Sequence, residues 1–173
     1  MKSARAAIYL VFALTLTTVP AMAQDQVVFL VRHAERAPMP AEQPSRGMMG
    51  DDPPLSAAGQ DRARRLAAML ASADIKHILT TEYQRTRQTA APIAERSNIK
   101  PVMGAAQDPQ PFIDQIQKAS GNVLVVGHSN TLPDLLKRLG VTRAITIADN
   151  EYDNLFVVVR RGAGEPTLIR LRY

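Results

Sequence analysis

The sequence predicts an α/β fold: a three-layer sandwich with a mostly parallel central sheet, helices on both faces and an antiparallel edge strand. Three observations carry that prediction. Residues 27–31 (Val-Val-Phe-Leu-Val) and 123–126 (Val-Leu-Val-Val) are apolar without alternation, as strands buried on both faces are. Strand-like runs alternate with helical patterns along the chain, which builds a parallel sheet covered on both sides. Near the C-terminus two strand-like runs are joined by Arg161-Gly162-Ala163-Gly164-Glu165-Pro166, a hairpin connection.

The elements follow in order. Residues 1–23 read as a cleaved secretory signal. Lys2 and Arg5 give a positive start, residues 6–19 an apolar stretch of 14, and Pro20-Ala21-Met22-Ala23 an A-x-A end. A membrane span needs about 20 apolar residues, so this stretch is too short to be an anchor. Residues 24–173 then form a single domain, large enough to bury its own core. Strand 27–31 comes first. Residues 36–54, with Pro38, Pro40, Pro44, Pro53, Pro54, Gly47 and Gly50, form an irregular loop that leaves the end of that strand and can wall whatever lies there. Ser56 caps a helix reaching about residue 71, with Ala63, Leu66, Ala67 and Leu70 at helical spacing. Residues 75–80 are a second strand. Residues 82–96 are mostly helical, with Pro92 bending the helix or delaying its start. A short strand over 100–103 and a helix over 111–119 precede strand 122–126. A helix over 131–139 stops at Gly140. Residues 145–148, 155–160 and 167–171 read as the last strands.

Composition narrows the function classes. The chain has no cysteine, so neither disulfides nor thiol chemistry are available. Net charge is +5, and removal of Lys2 and Arg5 leaves +3. The basic residues are scattered and do not interleave with aromatic ones, which argues against a nucleic-acid surface. A modest positive field suits a small anionic substrate. No segment after the signal is apolar enough to span a membrane. Oligomeric state leaves no mark in the sequence.

Two of the three histidines stand just past apolar strands, in Arg32-His33-Ala34-Glu35 and Gly127-His128-Ser129-Asn130. The carboxyl ends of parallel strands converge on one crevice, where ligands bind. Arg85 follows the second strand. Two guanidinium forks match phosphate oxygens, and a neutral imidazole beside them can attack phosphorus. His77 alternates with apolar residues inside its strand and reads as structural. Residues 149–154 (Asp-Asn-Glu-Tyr-Asp-Asn) read as a plain polar turn.

These motifs resemble those of the histidine phosphatase superfamily, in its phosphoglycerate mutase-like branch. Arg32-His33-Ala34-Glu35 is similar to the family's Arg-His-Gly/Ala signature. Thr81-Glu82-Tyr83-Gln84-Arg85-Thr86-Arg87-Gln88-Thr89-Ala90 is similar to its second arginine motif, and Gly127-His128-Ser129-Asn130-Thr131 to its second histidine motif. Leu55-Ser56-Ala57-Ala58-Gly59-Gln60 resembles the segment opening its first helix. The resemblance implies that His33 is the nucleophile that becomes phosphohistidine. It implies that Arg32, Arg85 and His128 form the phosphate pocket, with no cofactor and no metal. A carboxylic acid usually protonates the leaving group, and Asp108 stands in the corresponding stretch, although an Asp before Pro109 also suits a turn or cap. Glu35 and Glu82 are rivals. Asn130 either binds substrate or caps the following helix.

The expectation is an exported, periplasmic or secreted phosphatase acting on a small-molecule or envelope phosphomonoester. A phosphomutase and a non-catalytic phosphate-ester-binding protein are the alternatives.

Overall fold

β1 (Gln26–Arg32) is the axis of the molecule. Val28 and Leu30 point to one side of it, Val27, Phe29 and Val31 to the other, and each set meets a different pair of helices. This is the period-2 geometry of a strand turned to two apolar neighbours. The computed structural model describes residues 25–38, 52–162 and 164–173. The signal segment 1–23 and most of the loop expected over 36–54 lie outside the described residues.

After β1 come α1 (Ala57–Met69), β2 (Ile75–Thr81), α2 (Gln84–Ser97), β3 (Val102–Gly104) and α3 (Gln110–Lys118). β4 (Asn122–Gly127), α4 (Leu132–Arg138), β5 (Asn154–Arg160) and β6 (Thr167–Arg172) complete the order. The strands form one sheet in the order β3-β2-β4-β1-β5-β6. β1, β4, β2 and β3 are parallel, while β5 runs antiparallel to β1 and β6 antiparallel to β5. The fold is thus the expected α/β sandwich, with its antiparallel pairings on one side.

The two faces bury separate cores. Val28, Leu30, Val123, Val125 and Phe156 pack on α3 and α4 through Phe112, Ile116, Leu132 and Leu136. Val31, Ile78, Leu124, Val126 and Leu155 pack on α1 and α2 through Leu66, Ala67, Ala90 and Ile93. Each such Val, Leu, Ile or Phe side chain, removed from water, contributes roughly 1.5–3 kcal/mol before conformational entropy is counted.

Local signals set the element ends. The Ser56 hydroxyl accepts the Gly59 N–H at 3.1 Å and caps α1. Asn98, at φ 52°, closes α2 in the left-handed conformation. Pro92 sits inside α2, whose first residue is Gln84. Gly59 is required by contact: a Cβ there would lie 2.1 Å from the carbonyl oxygen of Glu35. Helix α1 therefore presses directly on the chain that leaves β1. The base of the loop is zipped as well, by an Arg36–Leu55 bridge and by Ala37 N–H donating to the Pro54 carbonyl at 2.8 Å.

One predicted element is absent. Residues 145–148 form no strand. Their apolar alternation is real, since Ile145 and Ile147 pack against the α3–α4 core. The position beside β1 is already taken by β5, so they pair with no strand there. The Ala148 carbonyl is taken up by the Arg32 side chain instead of a ladder.

Candidate active site

The parallel register decides where the histidines go. Arg32 pairs with Gly127, so β1 and β4 end level with each other and release His33 and His128 side by side. The His33 N–H donates to the Gly127 carbonyl at 2.9 Å. The two rings lie 5.3 Å apart between centroids, at 64°. β2 ends at the same edge and delivers Thr81, and the first turn of α2 delivers Arg85. Arg32, His33, Arg85 and His128 all line one cavity of about 200 Å³, together with Arg36, Ala106, Ser129, Asn130 and Asp149. All four of the residues expected at the centre meet there.

Hydrogen bonds fix the state of each ring. His33 Nδ1 lies 2.8 Å from the Ala34 carbonyl, which can only accept. Nδ1 therefore carries the proton and Nε2 keeps its lone pair. His128 Nε2 lies 3.0 Å from the Thr81 hydroxyl. The Thr86 hydroxyl donates to the carbonyls of Tyr83 and Thr81, at 2.8 and 3.1 Å, and sits 2.9 Å from the Thr81 hydroxyl. A consistent chain runs from His128 Nε2–H to Thr81, to Thr86, to a main-chain carbonyl. It leaves Nδ1 as the ring nitrogen of His128 not engaged with Thr81. Both rings are neutral. Burial is the main cause, opposed for His33 by its bond to Ala34 and reinforced by His128, Arg85 and Arg32, and it holds His33 at a pKa of about 3. Burial, then Arg85 and Arg32, holds His128 at about 4.

The arginines are buried and constrained. Arg32 Nη1 donates to the carbonyls of Ala148, Asp149 and Glu151 at 3.0–3.1 Å, while its Nε is a buried donor with no acceptor. The protein supplies no acceptor for that buried N–H, and the charge of Arg32 borders a cavity in which an anion would be attracted. Arg85 is anchored through its helix. Thr89 accepts the Ala34 N–H at 2.9 Å and donates to the Arg85 carbonyl at 2.7 Å, tying the His33 loop to the turn that carries Arg85. Gln88 Oε1 accepts the Leu55 N–H at 2.7 Å, and Ala90 is fully buried. The Gln-Thr-Ala run thus supports the site and stays out of it.

With this geometry in view, comparison with known proteins is specific. A family description, histidine phosphatase superfamily (branch 1), matches residues 28–106, a span that takes in Arg32, His33 and Arg85. The match takes in 79 of the 173 residues, a little under half of the chain. A protein named probable phosphoglycerate mutase GpmB from Yersinia enterocolitica is 41% identical over 76 residues, which are 43% of this chain and 34% of the relative. Its counterpart from Serratia proteamaculans is 41% identical over 69 residues, 39% of this chain and 30% of the relative. The chain thus matches about a third of the length of these curated relatives. Among solved structures, the protein histidine phosphatase SixA complexed with tungstate superposes with a TM-score of 0.64 at 18% identity, covering 84% of this chain and 96% of that one. The mycobacterial glucosyl-3-phosphoglycerate phosphatase gives a TM-score of 0.63 at 11% identity, covering 85% of this chain and 97% of that one. At such identities the likeness carries the fold alone.

Within this histidine phosphatase fold, the remaining sequence candidates separate. Asn130 lines the cavity and is exposed, and the cap position of α4 is Thr131, so its capping alternative falls away. Asp108 does not line the cavity. It is exposed, and its carboxylate accepts the Gln110 N–H at 3.0 Å at the start of α3, which is the turn or cap role. Glu35 is bound by Arg62 through contacts of 2.6–2.9 Å. Glu82 accepts the Ala106 N–H at 2.9 Å. His77 bonds the Ser120 carbonyl, away from the site.

The stretch 149–154 is more than a polar turn. Because β5 runs antiparallel to β1, it begins where β1 ends, and the residues before it reach the cavity. Asp149 lines it, and Tyr152 stacks on Arg32. Arg36 and Tyr83 also belong to the site, and sequence reasoning does not single them out. The Arg32-His33-Ala34-Glu35-Arg36 run does hold a signal for Arg36, since a cation three residues past a site histidine is close in space.

Proposed function

We propose that this protein is an exported phosphatase that hydrolyses phosphomonoesters through a phosphohistidine on His33. The observation that carries the reading is the meeting of a neutral His33, Nε2 unprotonated, with Arg32, Arg85 and His128 in one cavity. In this reading Arg32 and Arg85 grip the non-bridging oxygens and neutralise charge as it develops. His33 Nε2 forms a bond to phosphorus while the ester oxygen departs with its bonding pair. His128 supports the phosphoryl group from the other side. Asp149, the one carboxylate among the described residues lining the cavity, protonates the departing oxygen. Water then attacks phosphorus and gives a proton to the Asp149 carboxylate, the N–P bond breaks, and orthophosphate leaves with His33 neutral and Asp149 protonated again. Asn130, exposed on the cavity wall, contacts the organic part of the ester.

Export is part of the proposal and rests on residues 1–23, with residues 24–173 as the mature single domain. No helix among the described residues is long and apolar enough to cross a membrane. Sequencing the N-terminus of protein recovered from the cell envelope checks this, and a start at Gln24 is expected.

Turnover of an aryl phosphate by the purified protein, alongside His33→Ala, tests the chemistry. One orthophosphate released per ester, lost in the variant, supports hydrolysis. Return of the phosphoryl group to a second site on the substrate would identify a phosphomutase, the activity named for the curated relatives. Ester binding without turnover would identify a binding protein.

A further inference from the structure

Two of the three arginines of the cavity, Arg32 and Arg85, each sit over the face of a tyrosine. The Arg32 guanidinium carbon is 4.1 Å from the centre of the Tyr152 ring, and that of Arg85 is 4.1 Å from the centre of the Tyr83 ring. Each tyrosine also abuts a histidine: Tyr152 lies 6.0 Å from His33, and Tyr83 meets His128 edge-on at 5.4 Å. The two units come from unrelated parts of the chain. Tyr83 stands two residues before Arg85, whereas Tyr152 arrives from the loop before β5 to meet Arg32.

Away from the cavity the same protein orients arginines with carboxylates. Arg62 is held by Glu35, Arg138 by Asp134, and Arg172 by Glu151 and Asp153. A carboxylate bound closely to a cavity arginine would neutralise the guanidinium and occupy the donors an incoming anion needs. A ring face attracts the cation without taking a hydrogen. The N–H groups of a stacked guanidinium lie in its own plane, parallel to the ring, and point sideways. The other partners of Arg32 are neutral carbonyls. Asp52, 3.8 Å from Arg85, is partly committed to the Gln84 N–H at 2.7 Å.

We propose that Tyr152 and Tyr83 are positioning residues, each clamping one guanidinium plane so that its edge faces the anion while the ring excludes water from the adjacent histidine. The inference rests on the phosphate-pocket reading above and adds two residues to it.

Tyr152 gives the cleaner test, and two measurements that need no turnover serve it: orthophosphate affinity by calorimetry and the titration of the His33 ring by NMR. Groups facing His33 are Arg32 from β1, Arg85 from α2, His128 after β4 and Tyr152 itself. Tyr152→Leu is expected to weaken orthophosphate about tenfold, the order of a partly desolvated cation–π contact. It should also raise the His33 titration midpoint from about 3 towards the ordinary value, as water reaches the ring. Tyr152→Phe keeps the ring and is expected to match wild type in both. Should Tyr152→Leu unfold, Tyr152→Met supplies the same comparison. Wild-type affinity and titration in the Leu or Met variant would overturn the proposal, as would a Phe variant as damaged as Leu. If the wild type binds orthophosphate but turns over no ester, the hydrolytic reading falls and this one is still decided by the same measurements.

Discussion

Acidifying the protein from pH 7 to pH 5 should cost it stability, and the two buried histidines set the amount. In the folded chain His33 has a pKa of about 3 and His128 of about 4, against 6.5 for an exposed imidazole. The sign follows from which state binds the proton. As pH drops through 6.5 the unfolded chain protonates both rings while the folded chain holds them neutral, so stability falls and keeps falling until the folded values are reached. At pH 5 each ring has cost about 2 kcal/mol, and the pair about 4 kcal/mol. Against a typical total of about 5–15 kcal/mol this is a large share. Glu35 falls outside the window. Burial raises its carboxyl, the bonds to Arg62 more than reverse that, and its contribution is lost only as pH falls through the carboxylate range. Urea unfolding at pH 7, 6 and 5 measures the effect, and His128→Asn should remove about half of the decline. A free energy of unfolding that stays level between pH 7 and pH 5 would refute the claim that both rings are buried and neutral.

Other consequences are equally open to test. Arg85→Ala removes a fork of charge-assisted donors and should weaken orthophosphate inhibition about 10- to 100-fold; unchanged inhibition would take Arg85 out of the pocket. Gly59→Ala forces a methyl against the Glu35 carbonyl, 2.1 Å from the ideal Cβ position, and should destabilise the protein by at least about 1–3 kcal/mol in the same urea assay. Asp108→Asn should leave turnover within about twofold of wild type, since a surface substitution away from the cavity has little to disturb. Asp149→Asn should slow alkyl esters, whose leaving oxygen needs a proton, more than nitrophenyl esters, and equal slowing of both would remove it from that role.

Much of the fold and of the site is legible in the sequence, for definite physical reasons. Unbroken apolar runs mark β1 and β4 as strands buried on both faces, and such strands end at a shared crevice, so the pattern alone brings His33 and His128 together. Arg85 follows from the end of β2 by the same rule. What escapes the pattern depends on strand direction and on contacts at a distance. Residues 145–148 have the alternation of a strand, but only the sheet order shows that the place beside β1 goes to β5 instead. Residues 149–154 look like any polar turn until β5 is known to run antiparallel, which carries Tyr152 to Arg32, 120 positions earlier in the chain. Asp108 stands in a suggestive stretch, yet its carboxylate is used at once by the backbone two residues on. Short polar side chains beside a helix start commonly make that local choice, and it is decided by geometry too fine for spacing to reveal.

The central claim concerns one bond, between phosphorus and His33 Nε2. Brief reaction with a radiolabelled phosphate ester, quenching in alkali and peptide mapping would test it most directly. The account predicts an acid-labile, alkali-stable label on the peptide containing His33, absent in His33→Ala. Turnover with no such label under conditions that preserve phosphohistidine, or a label on another residue, would contradict it.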